Sequence, residues 1–235
     1  MSSTDRLLSN EEVILRFDEL NSELIVGLSE SITKMIPNVF PDTLSNIPDS
    51  KLRYSTVNEL TIKEMWPTIS DFLEVISSTL GTYYLRHHGL QWKHDKIAEM
   101  NCDGLVYLWY QNGESEIVGF ISFLMALEES KKVLYLYEVH VLPQFQSKRV
   151  GSTLLHYFHH FAIYLNSQAT ADYQYSSCFN NLATNLTVFS DNLKALSWYF
   201  KLGYRYTDLS PRDKVLRNGK IIKPEYYLLT RPNLN

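Results

Sequence analysis

The sequence predicts an α/β fold: a mixed, largely antiparallel sheet flanked by helices, with a helical extension at the N-terminus. Three observations lead there. Apolar residues recur every three or four positions over 10–35 and again over 150–165, which is helical spacing. Three runs rich in Val, Leu, Ile, Phe and Tyr, at 104–110, 117–127 and 133–142, follow one another as an antiparallel meander would. After them strand-like and helix-like segments alternate, so the order helix, strands, helix, strand, helix, strands builds a sandwich around one sheet.

The first helix carries Val13, Phe17, Leu20, Leu24, Leu28, Ile32 and Met35 on one face and is opened by Asn10, with Glu11 and Glu12 in its first turn. Such a one-sided helix needs a surface to cover, either its own domain or a partner helix. Pro37, Pro41 and Pro48 make 37–50 an irregular connection, dividing the chain into a helical extension with linker, 1–50, and a main domain, 51–235. A short strand at 51–57, a helix over about 63–80 with Pro67 near its first turn, and a helix over 92–100 precede the meander. Gln111, Asn112 and Gly113 turn the chain between the meander's first two strands. The helix over 150–165 keeps Val150, Leu154, Leu155, Phe158, Phe161, Ala162 and Leu165 on one face. A polar, irregular stretch covers 166–181. A buried strand at 186–189, a Ser190-Asp191 cap, a helix over 192–202 ended by Gly203, and strands at 204–206 and 226–229 around a polar turn at 217–220 complete the order.

Composition narrows the class. The 235 residues are 45% hydrophobic, 20% charged and 13% aromatic, which describes a globular domain with an appended segment. Twenty-two Lys+Arg against 26 Asp+Glu leave a net charge of −4, so no global basic field holds the chain on nucleic acid or anionic lipid. Neither direct nucleic-acid binding nor a membrane partner is expected, and selectivity must come from a local acidic patch. No apolar run approaches the roughly 18 to 20 residues of a membrane span, and the start has no signal-peptide pattern, so a soluble intracellular protein is expected. Cys102 and Cys178 lie far apart without metal-ligand spacing. His156, His159 and His160 have helical spacing for metal but no Cys or carboxylate to complete a site, so no metal is expected.

Two stretches carry chemistry. In 137–155 an apolar strand runs into Pro143, crosses a polar loop and enters a helix near Val150, presenting unpaired N–H groups at a helix N-terminus beside Lys148 and Arg149. That junction suits a phosphate or pyrophosphate, although Gly151 can equally serve close packing. In 186–206 a buried strand leads into a helix holding Asn192, Ala195 and Tyr199 and ending at Gly203-Tyr204. This second stretch resembles the Asn-x-x-Ala-x-x-x-Tyr-x-x-x-Gly-Phe/Tyr signature of the GCN5-related N-acetyltransferase (GNAT) family, and Gln146 to Gly151 resembles that family's pyrophosphate loop, with Arg149 standing where the pattern has its first glycine. Within the family, the Trp-Lys...Lys-x-x-Glu-Met segment after Gly89 and the Tyr-x-Tyr-Glu-Val strand from Tyr135 are similar to the NatD branch.

The resemblance implies a GNAT fold over roughly Lys51 to Leu229 and transfer of acetyl from acetyl-CoA to the α-amine of histone tails beginning Ser-Gly-Arg-Gly, in cytoplasm and nucleus, with ribosome association as a further implied partner. It assigns cofactor binding to Val139, His140 and Val141, to Gln146, Ser147, Lys148, Arg149, Val150, Gly151 and Ser152 of the loop, and to Asn192. Glu138 becomes the first candidate base, with Tyr137 beside it, and Tyr199 the acid for the departing thiolate. Tyr135 and Tyr137 share one strand face while Glu138 points to the other, so their joint action requires a bulge or twist. For substrate arginine the carboxylates are Glu128 or Glu129, since Ala126 occupies the position an ungapped match gives to one of the branch's acids. Trp92, Tyr135, Tyr137 and Tyr226 or Tyr227 are candidate walls for the peptide, or ordinary aromatic core. An acetyltransferase for other N-termini or lysine side chains, and a non-catalytic acyl-CoA-binding protein, are the alternative readings.

Overall fold

The computed structural model describes residues 22–63, 67–128, 131–169, 175–181 and 183–233. β1 (Lys51–Thr56), β2 (Val106–Gln111), β3 (Ile117–Glu128) and β4 (Lys131–Val141) pair antiparallel in sequence order. β4 then pairs parallel with β5 (Ala183–Phe189), which pairs antiparallel with β9 (Tyr226–Pro232), and β9 with β6 (Arg205–Tyr206). The result is the expected mixed, largely antiparallel sheet, of seven strands in the order β1-β2-β3-β4-β5-β9-β6. A separate hairpin of β7 (Lys214–Val215) and β8 (Ile221–Ile222) brackets the polar turn at 217–220.

Both sheet faces are covered, which explains why β2 is buried and hydrophobic from Val106 to Tyr110. Its Val106, Leu108 and Tyr110 enter the core under α5 (Val150–Gln168), while Tyr107 and Trp109 enter a second core under α3 (Ile69–His88) and α4 (Trp92–Met100). α3 starts later than its apolar pattern suggests because Thr68 and Asp71 form a capping box. It runs on to His88, where Gly89 at φ 73° ends it. A short α2 (Val57–Lys63), not foreseen from the sequence, follows β1 directly. α6 (Leu193–Lys201) is capped by Asn192, whose side chain accepts from the Ala195 N–H, and not by the Ser190-Asp191 pair. Asp191 instead takes Arg86 and His87 of α3, and the Ser190 hydroxyl donates to the Pro224 carbonyl. No described helix is long and apolar enough to cross a membrane.

Of the first predicted helix, residues 10–21 lie outside the described residues; the rest is α1 (Ser22–Thr33). Leu28 and Ile32 of α1, with Ile36, Phe40, Leu44 and Ile47 of the connection, are buried in the same core as α5. Gly104 sits at φ 87°, and a Cβ there would collide with Ile25, so this glycine serves both the turn and the close docking of α1. The connection is also pinned to the sheet: the Tyr110 hydroxyl donates to the Pro41 carbonyl at 2.7 Å and the Gly113 N–H to Asp49 at 3.2 Å.

Among the three α5 histidines, His159 is buried against the Tyr204 hydroxyl at 3.0 Å. Burial, and then the positive field of Arg231, push its proton affinity down to about 3. As pH falls below about 6.5 the unfolded chain takes up a proton that the folded one refuses, so stability present at neutrality declines by about 1.4 kcal/mol per pH unit. In urea unfolding, the wild type should lose about 2 kcal/mol more than a His159→Gln variant between about pH 6.5 and 5. Parallel curves would reject this assignment.

Candidate active site

β4 and β5 pair only from Val133↔Ala183 to Leu136↔Leu186, and beyond that point the strands part. Residues 137–141 therefore have no partner strand on the β5 side, and their backbone groups border the opening. A cavity of about 400 Å³ occupies it. β4 supplies Tyr135, Tyr137, Glu138, Val139 and His140 to the wall, β5 supplies Thr187 to Phe189, and α6 supplies Asn192, Ala195 and Tyr199. α3 and α4 close the other side with Tyr84, His88, Lys96 and Glu99, and Glu128, Glu225 and Tyr226 lie at the remaining edges.

One backbone irregularity makes this wall. Opposite β3, Leu136 pairs with Phe123 and Glu138 with Ser122, leaving Tyr137 as the extra residue of a β-bulge. The alternation is rephased across it. Leu134 and Leu136 face the α5 core before the bulge, Val139 and Val141 face it afterwards, and Glu138 and His140 turn to the side of Tyr135 and Tyr137. The bulge required for these three residues to act together is present.

Glu138 is buried, at 5% exposure, and so is Lys96 of α4, at 4%. The two form an ion pair, which Lys96 extends to Glu99 at 2.8 Å, while His140 Nε2 bonds the other Glu138 oxygen. His140 Nδ1 meets the Thr79 hydroxyl at 2.6 Å and Lys96 lies 5.2 Å from the centroid of the Tyr84 ring. Burial by itself would raise the proton affinity of Glu138. Lys96 and then His140 outweigh it and hold the carboxyl down to about 2. Burial likewise works against the charge on Lys96, and Glu138 outweighs it, so Lys96 holds its proton more firmly than a free lysine. This ion pair was not anticipated. Its signal was in the sequence, however: the buried stripe of α4 is Trp92, Lys96, Met100, with a lysine in a core register.

The aromatic residues divide. Tyr199 is buried, and that burial keeps its phenol protonated well above the usual range, as it does for Tyr137. Tyr135 bonds the Thr187 hydroxyl at 2.6 Å and lies 5.2 Å from the Tyr137 ring. Tyr226 lines the cavity, but Tyr227, its neighbour along β9, points to the opposite face and donates to Asp213, so Tyr227 is not a wall. Trp92 is not a wall either: it is buried behind Tyr84, stacked at 4.9 Å, because helical spacing places it in line with Lys96 and Met100. Glu128 lies at the cavity edge and Glu129 falls outside the described residues.

The loop from Gln146 to Gly151 continues from the open end of β4, outside the cavity wall. Gln146 donates to the Val141 carbonyl at 2.9 Å and Asn46, from the N-terminal connection, donates to the Lys148 carbonyl at 2.8 Å. Ser147 and Arg149 both sit at φ 62°, the left-handed region. The N–H groups of Val150, Gly151 and Ser152 make no backbone hydrogen bond among the described residues. A Cβ on Gly151 would lie 3.4 Å from the Trp198 ring, in ordinary contact, so packing against α6 does not by itself require glycine there. Free N–H groups at the positive end of a 19-residue helix, beside Lys148 and Arg149, fit a pyrophosphate. Arg149→Gly relieves a left-handed arginine and should raise stability by about 1 kcal/mol in urea unfolding. If the guanidinium binds phosphate, the same change raises KM for acetyl-CoA; no stability gain would contradict the strain assignment. Among the described residues, no group of three or more His, Cys, Asp or Glu is placed to hold a metal ion.

Comparisons with known proteins agree with this geometry. Residues 69–172 match the model of the Acetyltransferase (GNAT) family. Over 158 residues the sequence is 34% identical to N-alpha-acetyltransferase 40 of Saccharomyces cerevisiae (strain ATCC 204508 / S288c), covering 59% of this chain and 52% of that protein. The chain thus spans about half the length of this curated relative. A solved structure from Pyrococcus horikoshii OT3 superposes with a TM-score of 0.50 at 17% identity, over 77% of this chain and 98% of its own, a likeness of fold. The PaiA N-acetyltransferase from Thermoplasma acidophilum in complex with coenzyme A gives a TM-score of 0.47 at 14% identity, over 78% of this chain and 98% of that one.

Proposed function

The chain carries a GNAT acetyltransferase domain, and from that premise we propose that it is an N-terminal acetyltransferase. It transfers acetyl from acetyl-CoA to the serine α-amine of histone tails beginning Ser-Gly-Arg-Gly, in cytoplasm and nucleus. In this reading 51–235 is the catalytic domain and 1–50 its extension. The observation that carries it is the cavity where β4 leaves β5, with an ionised Glu138 at its floor and an open helix N-terminus beyond. The likeness to N-alpha-acetyltransferase 40 supports an α-amine as acceptor. The carboxylates of Glu99, Glu128 and Glu225 at the cavity support a basic peptide.

Acetyl-CoA supplies an activated acyl thioester. The N–H groups of Val150, Gly151 and Ser152, with Lys148 and Arg149, hold its pyrophosphate. Unpaired N–H groups of β4 beyond Leu136 donate to the carbonyl oxygen as charge builds on it. Tyr199, whose buried phenol keeps its proton, donates a hydrogen bond to the departing thiolate, which leaves as the anion. Glu138 acts on the amine. Lys96 and His140 hold its carboxyl far more acidic than an α-ammonium, so taking a proton from the free ammonium is strongly uphill. The attacking species is therefore the neutral amine, about a tenth of the N-termini near pH 7. Glu138 stabilises the positive charge that the nitrogen gains on attack and receives the proton at that stage, when it is far more acidic.

Mass spectrometry tests the assignment on a Ser-Gly-Arg-Gly peptide, its Arg→Ala counterpart, and an N-terminally blocked peptide bearing lysine. Acetylation of the serine amine in the first peptide, at least tenfold faster than in the second, is expected from a charge-assisted arginine–carboxylate contact. Acetylation of the blocked peptide on lysine would instead make this a side-chain acetyltransferase, and none on any peptide would refute the reading.

A further inference from the structure

The net charge of −4 hides a segregation. Between Arg205 and Lys223 the chain has six basic residues and two acidic ones, a local +4, which leaves −8 on the remainder. Arg205, Arg212, Lys214, Arg217, Lys220 and Lys223 are all exposed, and none forms an ion pair among the described residues. Of the two acids, Asp213 is occupied by the Tyr227 hydroxyl.

Four of these cations sit on or beside the β7–β8 hairpin, which forms its own two-stranded sheet. The tip is built tightly: Leu216 N–H donates to Lys220 at 2.8 Å, Gly219 N–H to Leu216 at 2.9 Å, and Gly219 takes φ 79°. Neither face is covered. Val215 and Ile221, opposite each other, are 71% and 57% exposed, and Leu216 and Ile222 on the other face are also exposed. A bare two-stranded ribbon with aliphatic faces is poorly stabilised in water, so its exposure on both sides suits insertion into a partner.

We propose that the β7–β8 hairpin is a DNA-docking arm, which lays Arg217 and Lys220 at its tip, with Lys214 and Lys223 behind, against the phosphates of a duplex. The charge sets the partner as a polyanion, because counterion release drives such cations onto phosphate. The shape selects DNA among polyanions: a two-stranded ribbon enters the B-form major groove, where aliphatic side chains can meet thymine methyls, whereas the A-form RNA major groove is deep and narrow. The arm leads through Pro224 into Glu225, which lies at the cavity edge.

Fluorescence anisotropy with the full chain and a DNA duplex of about 20 base pairs tests this at about 50 and 200 mM salt. Micromolar binding that weakens with salt is expected. The double variant Arg217→Gln/Lys220→Gln should bind about tenfold or more weakly and flatten the slope of log K against log salt by about 2, while free-peptide acetylation is unchanged. Absence of binding at the lower salt, or equal binding by the variant, overturns the proposal. So does tighter binding of an RNA duplex of the same sequence, or of poly-L-glutamate, the latter pointing to an acidic protein.

Discussion

Glu138→Gln should lower kcat for peptide acetylation by about 10²- to 10⁴-fold, the usual range for removing a positioned proton acceptor. The amide cannot take the proton from the attacking nitrogen or balance its charge. KM for acetyl-CoA should hold, because the pyrophosphate loop lies outside the cavity wall that Glu138 helps to form. The wild-type profile should rise about tenfold from pH 6 to 7 and level off above about 8, following deprotonation of the peptide amine. Glu138 itself titrates at about 2 and contributes no limb in that window. Stopped assays with saturating peptide for kcat and subsaturating peptide for the pH profile, alongside calorimetric titration of coenzyme A to check the fold, read both effects. A variant within threefold of wild type would remove Glu138 from the reaction.

Lys96→Met should destabilise the fold by about 3 to 5 kcal/mol, because it leaves the Glu138 carboxylate buried without its cation. Among the described residues His140 is then the one close partner able to carry a positive charge, while Tyr84 and Tyr107 facing the pair are neutral phenols and Glu99 is a second anion. The sign with pH follows. Without Lys96, burial raises the folded carboxyl above its unfolded value, so the variant is less unstable at low pH and loses stability as pH rises through the folded value. Urea unfolding at about pH 5 and 8 should show the larger deficit at pH 8, and Lys96→Met/Glu138→Gln should recover part of it. A deficit below about 1 kcal/mol that is the same at both pH values would mean that the pair is not a desolvated one.

Much of the framework was legible from pattern alone. The helix at 92–100 and the three meander strands follow from periodicity, because side-chain alternation reports which faces are covered whatever does the covering. The loop before Val150 was legible as a helix start, and the left-handed Arg149 explains why a glycine suits that position. Boundaries set by side-chain hydrogen bonds were less visible. The start of α3 depends on Thr68 with Asp71, and Asp191 is drawn from the α6 cap by Arg86 and His87, more than a hundred residues away.

What the sequence by itself determined was the order of the main elements, the short α2 apart, a sheet flanked by helices, and the residue types at the end of β4. The tertiary structure decided which of those residues meet. The bulge at Tyr137 is a mismatch of count between two strands, so strict alternation within β4 placed Glu138 on the wrong face. Trp92 and Tyr227 read as cavity walls until packing turned them elsewhere, one behind Tyr84 and the other toward Asp213. Lys96 and Glu138 are two ordinary charges in the chain, 42 positions apart in the sequence. Only when α4 and β4 remove both from water does their attraction become strong enough to hold Glu138 ionised in the interior, because Coulomb energy and desolvation cost both grow as the local dielectric falls.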